Sequence, residues 1–359
     1  MSATTASILA GNEAGACIPP FGEEIGAASL KFFLASITGH SWAPKVIAIH
    51  QNCQFYGSLL LKERLVVGIP CGLFYGDGTL GALVLARPEH RSTVLREGLR
   101  HLSEAPGFRG LRVTVPPDSA NVSVIQAMHG SKGLQVSRRE YVNHLVLPLP
   151  ATYDELLSRF GRRTRRNFRY YRRMSERANS EYVPDVGWTE LYTAMLSLLN
   201  QRVIGASREG VERSIRVFSA VERPIFAGLR DSSRQWLAVL GGWQESPERV
   251  VLFMQMNAES PHANASLSTV LRSYFIEDLI ARGTRELIFW GGVGFPLNRF
   301  CRPLPAHRYD LDSPTFHWRA TRFILQRCAP LVPPNVAWAF DWIAPKRADK
   351  QLGLGSPTN

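Results

Sequence analysis

Two patterns of hydrophobic and polar positions recur along the chain, and both occur in the stretch from 249 to 294. Residues 250–256 form an apolar run of branched and aromatic side chains, which predicts a buried β-strand. Residues 267–282 place apolar side chains at helical spacing, and Gly283 after them predicts the end of an amphipathic helix. Residues 286–292 predict a second short buried strand. The stretch therefore predicts a strand, a helix and a strand in succession.

Polar residues gather where the predicted helix begins. A parallel strand pair with a crossover helix brings the helix start to the carboxyl edge of the sheet, where free backbone amides and the helix dipole hold anions. Ser268 and Thr269 also suit an ordinary helix cap, so capping and anion binding are both open. The side chains predicted to line an anion here are Asn257, Ser266, Ser268 and Thr269, with Arg272 as a charged partner.

The chain divides into two halves with the same order of predicted elements: a helix, several strands, a helix and a strand. The sequence Ser-Thr-Val-Leu-Arg occurs at 92–96 and again at 268–272, at the start of the corresponding helix in each half. We interpret this as an internal duplication within a mixed α/β fold. The predicted organisation is a loose leader at 1–20, domains at 21–150 and 151–345, and a loose tail at 346–359.

Composition limits the class of protein. The 359 residues are 45% hydrophobic, which is typical of globular domains. Five scattered cysteines predict neither a disulfide framework nor a metal site, and the histidines show no metal-binding spacing. No apolar run approaches the roughly 20 residues that cross a bilayer. These features predict a cytoplasmic protein without a metal or a transmembrane segment.

The positive charge is concentrated in one predicted helix, which spans 153–177. The net charge is +12, and nine arginines lie between Arg159 and Arg177 against the single acid Glu176. Three interpretations are open: a solvated linker helix, a dock for anionic substrates such as lipid-linked sugars, and an RNA-binding surface. The RNA interpretation uses Tyr170 and Tyr171 as stacking platforms beside the arginines.

Three motifs carry a resemblance to a known family: the arginine-rich segment 162–169, the helix start 266–271 and the strand end 288–292. Together they resemble the CelD/BcsL-type (cellulose-biosynthesis-like) acyltransferases, a branch of the GNAT superfamily with two GNAT-like halves, similar in architecture to FemAB. The resemblance implies tandem GNAT-like domains that transfer an acyl group from acyl-CoA to an amine or hydroxyl of an envelope or exopolysaccharide precursor. Ser268 and Ile288 stand where the family has glycine and an acid, so no general base is assigned.

The resemblance also implies roles for five further residues. Tyr309, with Cys301 behind it, is predicted to donate a proton to the departing thiolate. Trp243, Trp290 and Arg299 are predicted to shape the acceptor pocket. Two alternative functions are open: a non-catalytic GNAT-fold protein that binds polyanions, and a FemAB-like transferase that depends on aminoacyl-tRNA.

Overall fold

The computed structural model describes residues 4–10, 27–37, 41–52, 54–201, 207–258, 266–313 and 315, with positions 318, 320, 321, 323, 324 and 327. The chain forms two compact units. The first contains residues 1–142 and 305–359, and the second contains residues 143–304. Within the described ranges, no helix is both long enough and apolar enough to cross a membrane.

The first unit is built on a mixed sheet in the strand order β1-β2-β3-β4-β6-β15-β7, with β5 paired to β3. Its strands are β1 (Thr4–Ala10), β2 (Trp42–Gln51), β3 (Gln54–Val66), β4 (Ile69–Asp77), β5 (Val84–Ala86), β6 (Gly110–Val115), β7 (Gln135–Tyr141) and β15 (Ala306–Asp312). Its helices are α1 (Ala27–Ser36), α2 (Arg91–Glu104) and α3 (Asn121–Ala127).

The second unit is built on a seven-stranded sheet in the order β14-β8-β13-β12-β11-β10-β9. Its strands are β8 (Leu145–Pro148), β9 (Glu181–Pro184), β10 (Pro224–Arg230), β11 (Trp236–Ser246), β12 (Arg249–Asn257), β13 (Glu286–Phe289) and β14 (Arg302–Pro303). Its helices are α4 (Tyr153–Arg159), α5 (Arg162–Arg177), α6 (Trp188–Asn200), α7 (Arg208–Ser219) and α8 (Leu267–Ala281).

Each unit contains a parallel strand pair joined by a crossover helix. In the first unit β4 and β6 are parallel and α2 connects them, and in the second β12 and β13 are parallel and α8 connects them. The repeated pentapeptide starts at the second residue of both helices, at Ser92 in α2 and at Ser268 in α8. The repeat therefore occupies equivalent places in the two units.

The observed boundaries differ from the predicted ones in three places. Residues 4–10 were predicted to be loose but form β1, which pairs antiparallel with β2. Residues 306–312 were assigned to the second domain but form β15, which lies between β6 and β7 in the first sheet. The predicted helix 153–177 is two helices, because Phe160 and Gly161 have extended backbone. The predicted tail at 346–359 lies outside the described residues.

Candidate functional site

The two parallel strands of the second unit separate at their carboxyl ends. They pair from Arg249 and Glu286 as far as Leu252 and Phe289, and β12 then continues to Asn257 without this neighbour. A last hydrogen bond runs from the amide of Trp290 to the carbonyl of Leu252, at 2.9 Å. In the described part of the sheet, the edge of β12 at 253–257 that faces away from β11 has no strand partner.

The corresponding strands of the first unit do not separate. There β4 pairs with β6 up to its last residue, Asp77, opposite Thr114. The amide of Gly78 continues the contact with a 2.8 Å hydrogen bond to the Thr114 carbonyl. An open strand edge beside a crossover helix is therefore a feature of the second unit.

A β-bulge marks the place where β12 leaves β13. The pairing of β11 with β12 shifts between Gly241 and Gly242, so that Phe253 has no opposite residue. A Cβ atom at Gly242 would lie 1.9 Å from the carbonyl oxygen of Val251. Only glycine fits at this backbone contact, so the bulge depends on Gly242.

A polar network joins the open strand to the start of α8. The Gln255 amide nitrogen donates to the Asn257 side-chain oxygen at 2.9 Å and to the Ser268 carbonyl at 3.4 Å. The Gln255 oxygen accepts a 2.6 Å hydrogen bond from Nε of Arg272. Ser266 caps α8 by accepting from the Thr269 amide at 3.2 Å. The structure thus brings all five residues of the predicted anion site together. The residue that caps the helix is Ser266, rather than Ser268 or Thr269.

Arg272 and Cys301 form the electrostatic centre of this network. Burial lowers the pKa of Arg272 to about 10, and the nearby Cys301 thiol offsets this only in part. No carboxylate of the described residues forms an ion pair with Arg272. Burial also raises the pKa of Cys301 to about 12, and its Sγ lies 3.3 Å from the carbonyl oxygen of Leu297. A desolvated cation without a carboxylate partner is suited to an anionic ligand.

A pocket of about 540 Å³ opens at the amino end of α8, and we call it the helix-end pocket. Ser266, which caps α8, and Thr269 in its first turn form one side, the amino end of α5 forms another, and residues 295–300 close a third. The first residues of α5 and the start of α8 both line the pocket, so two helix amino ends border the same cavity. At α5, no side chain caps the helix end at Gly161. The cations on its wall are Arg162, Arg163 and Arg299, and no lining residue is acidic. Volume and charge both suit a phosphorylated ligand.

Helix α5 is held firmly against α8. Phe168 is buried, and its ring centroid lies 5.2 Å from that of Phe160. Arg172 forms an ion pair with Glu277 and stacks over the Tyr274 ring at 3.9 Å. The arginine-rich segment is therefore a packed helix with one exposed face, rather than a free linker.

Aromatic residues surround the bulge of β12. The ring centroid of Phe253 lies 5.8 Å from that of Trp243 and 5.6 Å from that of Trp290. Trp243 is buried, while Trp290 is partly exposed. The buried His144 packs 4.8 Å from the Trp290 ring and accepts a 3.1 Å hydrogen bond from the Gly291 amide. Trp243 and Trp290 therefore lie together, and Arg299 lies in the helix-end pocket instead.

Tyr309 lies in the first unit. It is a central residue of β15, fully buried in the hydrophobic core of the first sheet, and its hydroxyl lies 3.4 Å from the Gln126 amide nitrogen. The predicted role rests on its position after the last predicted strand of the second half, whereas residues 306–312 themselves form a strand that pairs with β6 and β7 of the first sheet. Cys301 lies in the network around Arg272 in the second unit, whereas Tyr309 belongs to the core of the first unit.

Sequence reasoning missed two residues of this site. Gln255 lies within the apolar run of β12, a pattern that predicts a buried strand and gives its side-chain amide no role. His144 precedes β8, and its contact with the Gly291 turn joins positions 147 residues apart. Gln255 is the one polar residue in the apolar run 250–256, and this exception in the pattern is a signal that could have marked it. No local signal marked His144.

Comparison with known proteins supports the fold. No protein-family model matches the sequence, and no curated protein does. A solved structure of the C-terminal domain of a putative lysylphosphatidylglycerol synthetase from Agrobacterium fabrum is 9% identical, with a TM-score of 0.51, covering 83% of this chain and 90% of that chain. The FemX structure is 11% identical, with a TM-score of 0.50, covering 82% and 94%.

A tandem GNAT protein from the clavulanic acid biosynthesis pathway is 11% identical, with a TM-score of 0.43, covering 87% of this chain and 99% of that chain. At such identities these likenesses concern the fold. The fold class predicted from the sequence is confirmed as mixed α/β: the chain forms two units, each built on its own sheet, and its fold is similar to those of the synthetase domain and FemX.

Proposed function

We propose that the protein is an acyltransferase of the CelD/BcsL type that takes its acyl group from acyl-CoA. The proposed acceptor is an amine or hydroxyl of an envelope or exopolysaccharide precursor. The observation that carries this proposal is the open edge of β12 at 253–257, which Gln255 joins to the start of α8, where the helix-end pocket opens. The strand edge offers backbone hydrogen-bonding groups to the pantetheine arm of acyl-CoA. The pocket offers positive charge to the CoA phosphates.

The open edge suits the pantetheine arm of CoA. This arm contains amide groups, and an extended chain with amides binds an unpaired strand edge through backbone hydrogen bonds. Among the described residues, no strand pairs with the edge of 253–257 that faces away from β11, and its amides and carbonyls are proposed to serve this purpose. The same backbone supports polarisation of the thioester carbonyl, because fixed N–H groups stabilise developing negative charge on oxygen.

The helix-end pocket suits the phosphates of CoA. Two helix amino ends and three arginines contribute positive charge there, and no acid opposes it. Thr269 and Ser266 present hydroxyls on the same wall. Of the predicted anion-binding residues, these two face the cavity. We propose that Asn257, Ser268 and Arg272 support this pocket indirectly, through the hydrogen-bonded network around Gln255.

The proposed reaction needs stabilisation of the departing thiolate. Of the two predicted proton donors, Cys301 is the one in this unit. Because its pKa is raised by burial to about 12, the Cys301 thiol is a weak acid and stays protonated near neutral pH. Cys301 is therefore proposed as a weak proton donor to the thiolate, and Arg272 keeps its proposed role beside the phosphates.

The aromatic cluster is proposed to contact the acceptor. Trp290 is partly exposed at the end of β13, where the strands separate. A flat aromatic face near the reacting atoms restricts the orientation of a ring-shaped acceptor. Trp243 is buried, so its proposed contribution is to hold Trp290 and Phe253 in place.

Calorimetry with acetyl-CoA and longer acyl-CoAs tests the proposal, followed by a thiol-release assay with amine and hydroxyl acceptors. We expect a Kd in the micromolar range, about 8 kcal/mol of binding free energy, for the preferred donor. Thiol release that requires an acceptor is the expected sign of transfer. Absence of binding by every acyl-CoA, including at millimolar concentration, would refute the proposed donor.

A further inference from the structure

The exposed face of α5 carries a single stripe of arginines, which we call the arginine ridge: Arg162, Arg166, Arg169, Arg173 and Arg177. Their spacing of four, three, four and four positions places them on one side of the helix. All five side chains are exposed to solvent. At about 1.5 Å per residue the ridge is about 22 Å long.

The charge of the ridge is almost uncompensated inside the protein. Among the described residues, the one ion pair of the ridge within 4 Å joins Arg169 to the exposed Asp154 at 3.9 Å, and Glu176 is the single acid within α5. Like charges three or four positions apart repel each other along a helix. The isolated protein therefore gains no stability from this arrangement, which points to an acidic partner outside the chain.

The ridge is held as a fixed surface. The opposite face of α5 is anchored by the buried Phe168 and by the ion pair of Arg172 with Glu277. The helix cannot turn its arginines inward without breaking these contacts. A partner consequently meets five cations whose positions along the helix are set in advance.

The ridge begins at the donor site and extends far beyond it. Arg162 lines the helix-end pocket, while Arg173 and Arg177 lie about 16 and 22 Å further along the helix axis. The phosphates of a CoA molecule bound in the pocket meet the cations at its wall. They leave the far end of the ridge unmatched, so the ridge is longer than free CoA requires.

We propose that the arginine ridge docks a small acidic carrier protein, which presents the acyl group as a thioester of its phosphopantetheine arm. This inference rests on the proposed function, and it identifies the carrier as the source of the donor. The phosphate of the arm enters the helix-end pocket and the arm follows the open edge of β12. The acyl carbon–sulfur bond breaks, a bond forms to the acceptor nitrogen or oxygen, and the proton released by the acceptor ends on the carrier thiol.

The shape of the ridge favours an acidic protein over nucleic acid or a membrane. Single-stranded nucleic acids bind in grooves lined with stacking aromatics, whereas the ridge is the convex face of one helix. Helices that bind membranes insert an apolar face, but here Phe168 and its neighbours are packed inside the unit. A straight basic stripe with helical spacing matches acidic side chains on a helix of a partner protein.

The test uses the full-length protein and a fluorescently labelled acyl carrier protein in its phosphopantetheine-bearing form. Fluorescence anisotropy gives its Kd, and calorimetry gives the Kd of acyl-CoA for the same samples. The ridge variant is Arg169→Glu with Arg173→Glu. The control variant is Arg216→Glu with Arg223→Glu, two exposed arginines on other segments of the second unit. Both variants change the net charge equally.

We expect the ridge variant to weaken carrier binding by about tenfold or more, because two attractive contacts become repulsive. The control variant should stay within about twofold of the wild type, and acyl-CoA binding should be the same in all three proteins. Carrier binding should also weaken as salt is added.

Four results would overturn the inference. If acyl-CoA binds but the carrier does not, the ridge proposal fails and the proposed function stands. Equal losses in both variants would show a diffuse effect of net charge. If the binding of single-stranded RNA or of anionic phospholipid vesicles depends on the ridge while binding of the carrier does not, the partner belongs to another class. Failure of both donors would refute the proposed function itself.

Discussion

Replacing Thr269 by glutamate separates the stability of α8 from its proposed role in donor binding. Thr269 is the third residue of the helix, and its amide donates to the Ser266 hydroxyl. Glutamate here completes a capping box with Ser266. Negative charge in the first turn is also favoured by the helix dipole, by about 0.3–1 kcal/mol. The fold should therefore be unharmed or slightly stabilised.

The same carboxylate would face the donor phosphates across the helix-end pocket, which Thr269 lines. At a separation of about 5 Å and an effective dielectric constant of about 20, one opposing charge costs about 3 kcal/mol. This corresponds to roughly a hundredfold increase in Kd. Thr269→Gln is the matched control, because glutamine has the same size and also completes the capping box.

The assay is calorimetric titration of both variants with the acyl-CoA that the wild type prefers, after circular dichroism has shown that each is folded. We expect the glutamine variant to bind within a few-fold of the wild type and the glutamate variant to bind about a hundredfold more weakly. Equal affinity of the two folded variants would refute a phosphate site at this helix end.

Three further predictions concern packing and ionisation. Gly242→Ala should destabilise the protein by about 3 kcal/mol, since the alanine Cβ would lie 1.9 Å from the Val251 carbonyl oxygen. If denaturant unfolding shows that the free energy of unfolding falls by less than about 1 kcal/mol, the bulge does not depend on glycine. Asp310→Ala should lower the free energy of unfolding by about 3–5 kcal/mol, because the buried Arg112 donates to Asp310 at 2.7 and 3.2 Å and would lose this partner. The double variant Arg112→Met with Asp310→Leu should recover most of that loss in the same unfolding measurement. The rate of alkylation of Cys301 should rise about tenfold per pH unit up to at least pH 11, because burial raises the pKa of its thiol to about 12. A rate that levels off near pH 9 would show an ordinary thiol.

The strand, helix and strand of the central stretch were predictable because each has a strong local signal. The apolar run of β12 is too rich in branched residues for a loop, and Ser266 and Gly283 mark the two ends of α8. The predicted anion-binding residues cluster for the same reason, since the end of one strand and the start of the next helix meet at the same edge of a sheet.

Other features depend on contacts that no local pattern encodes. The strand β15 pairs with β6, so that Tyr309 lies opposite Val113, far away in sequence. Thr4–Ala10 contains small residues that a loose segment would also contain, and it becomes a strand because β2 offers an edge. The separation of β12 from β13 likewise follows from the length of each strand and from the bulge at Phe253, rather than from composition.

The central claim is that a thioester donor binds along the open edge of β12 and at the start of α8. Amide hydrogen exchange, read by mass spectrometry with and without a saturating acyl-CoA, tests it most directly. We predict slower exchange at 253–257 and in the first turn of α8, and no change in the β4 and β6 strands, whose backbones are already paired. Protection confined to other segments, with none at 253–257, would contradict the proposed site.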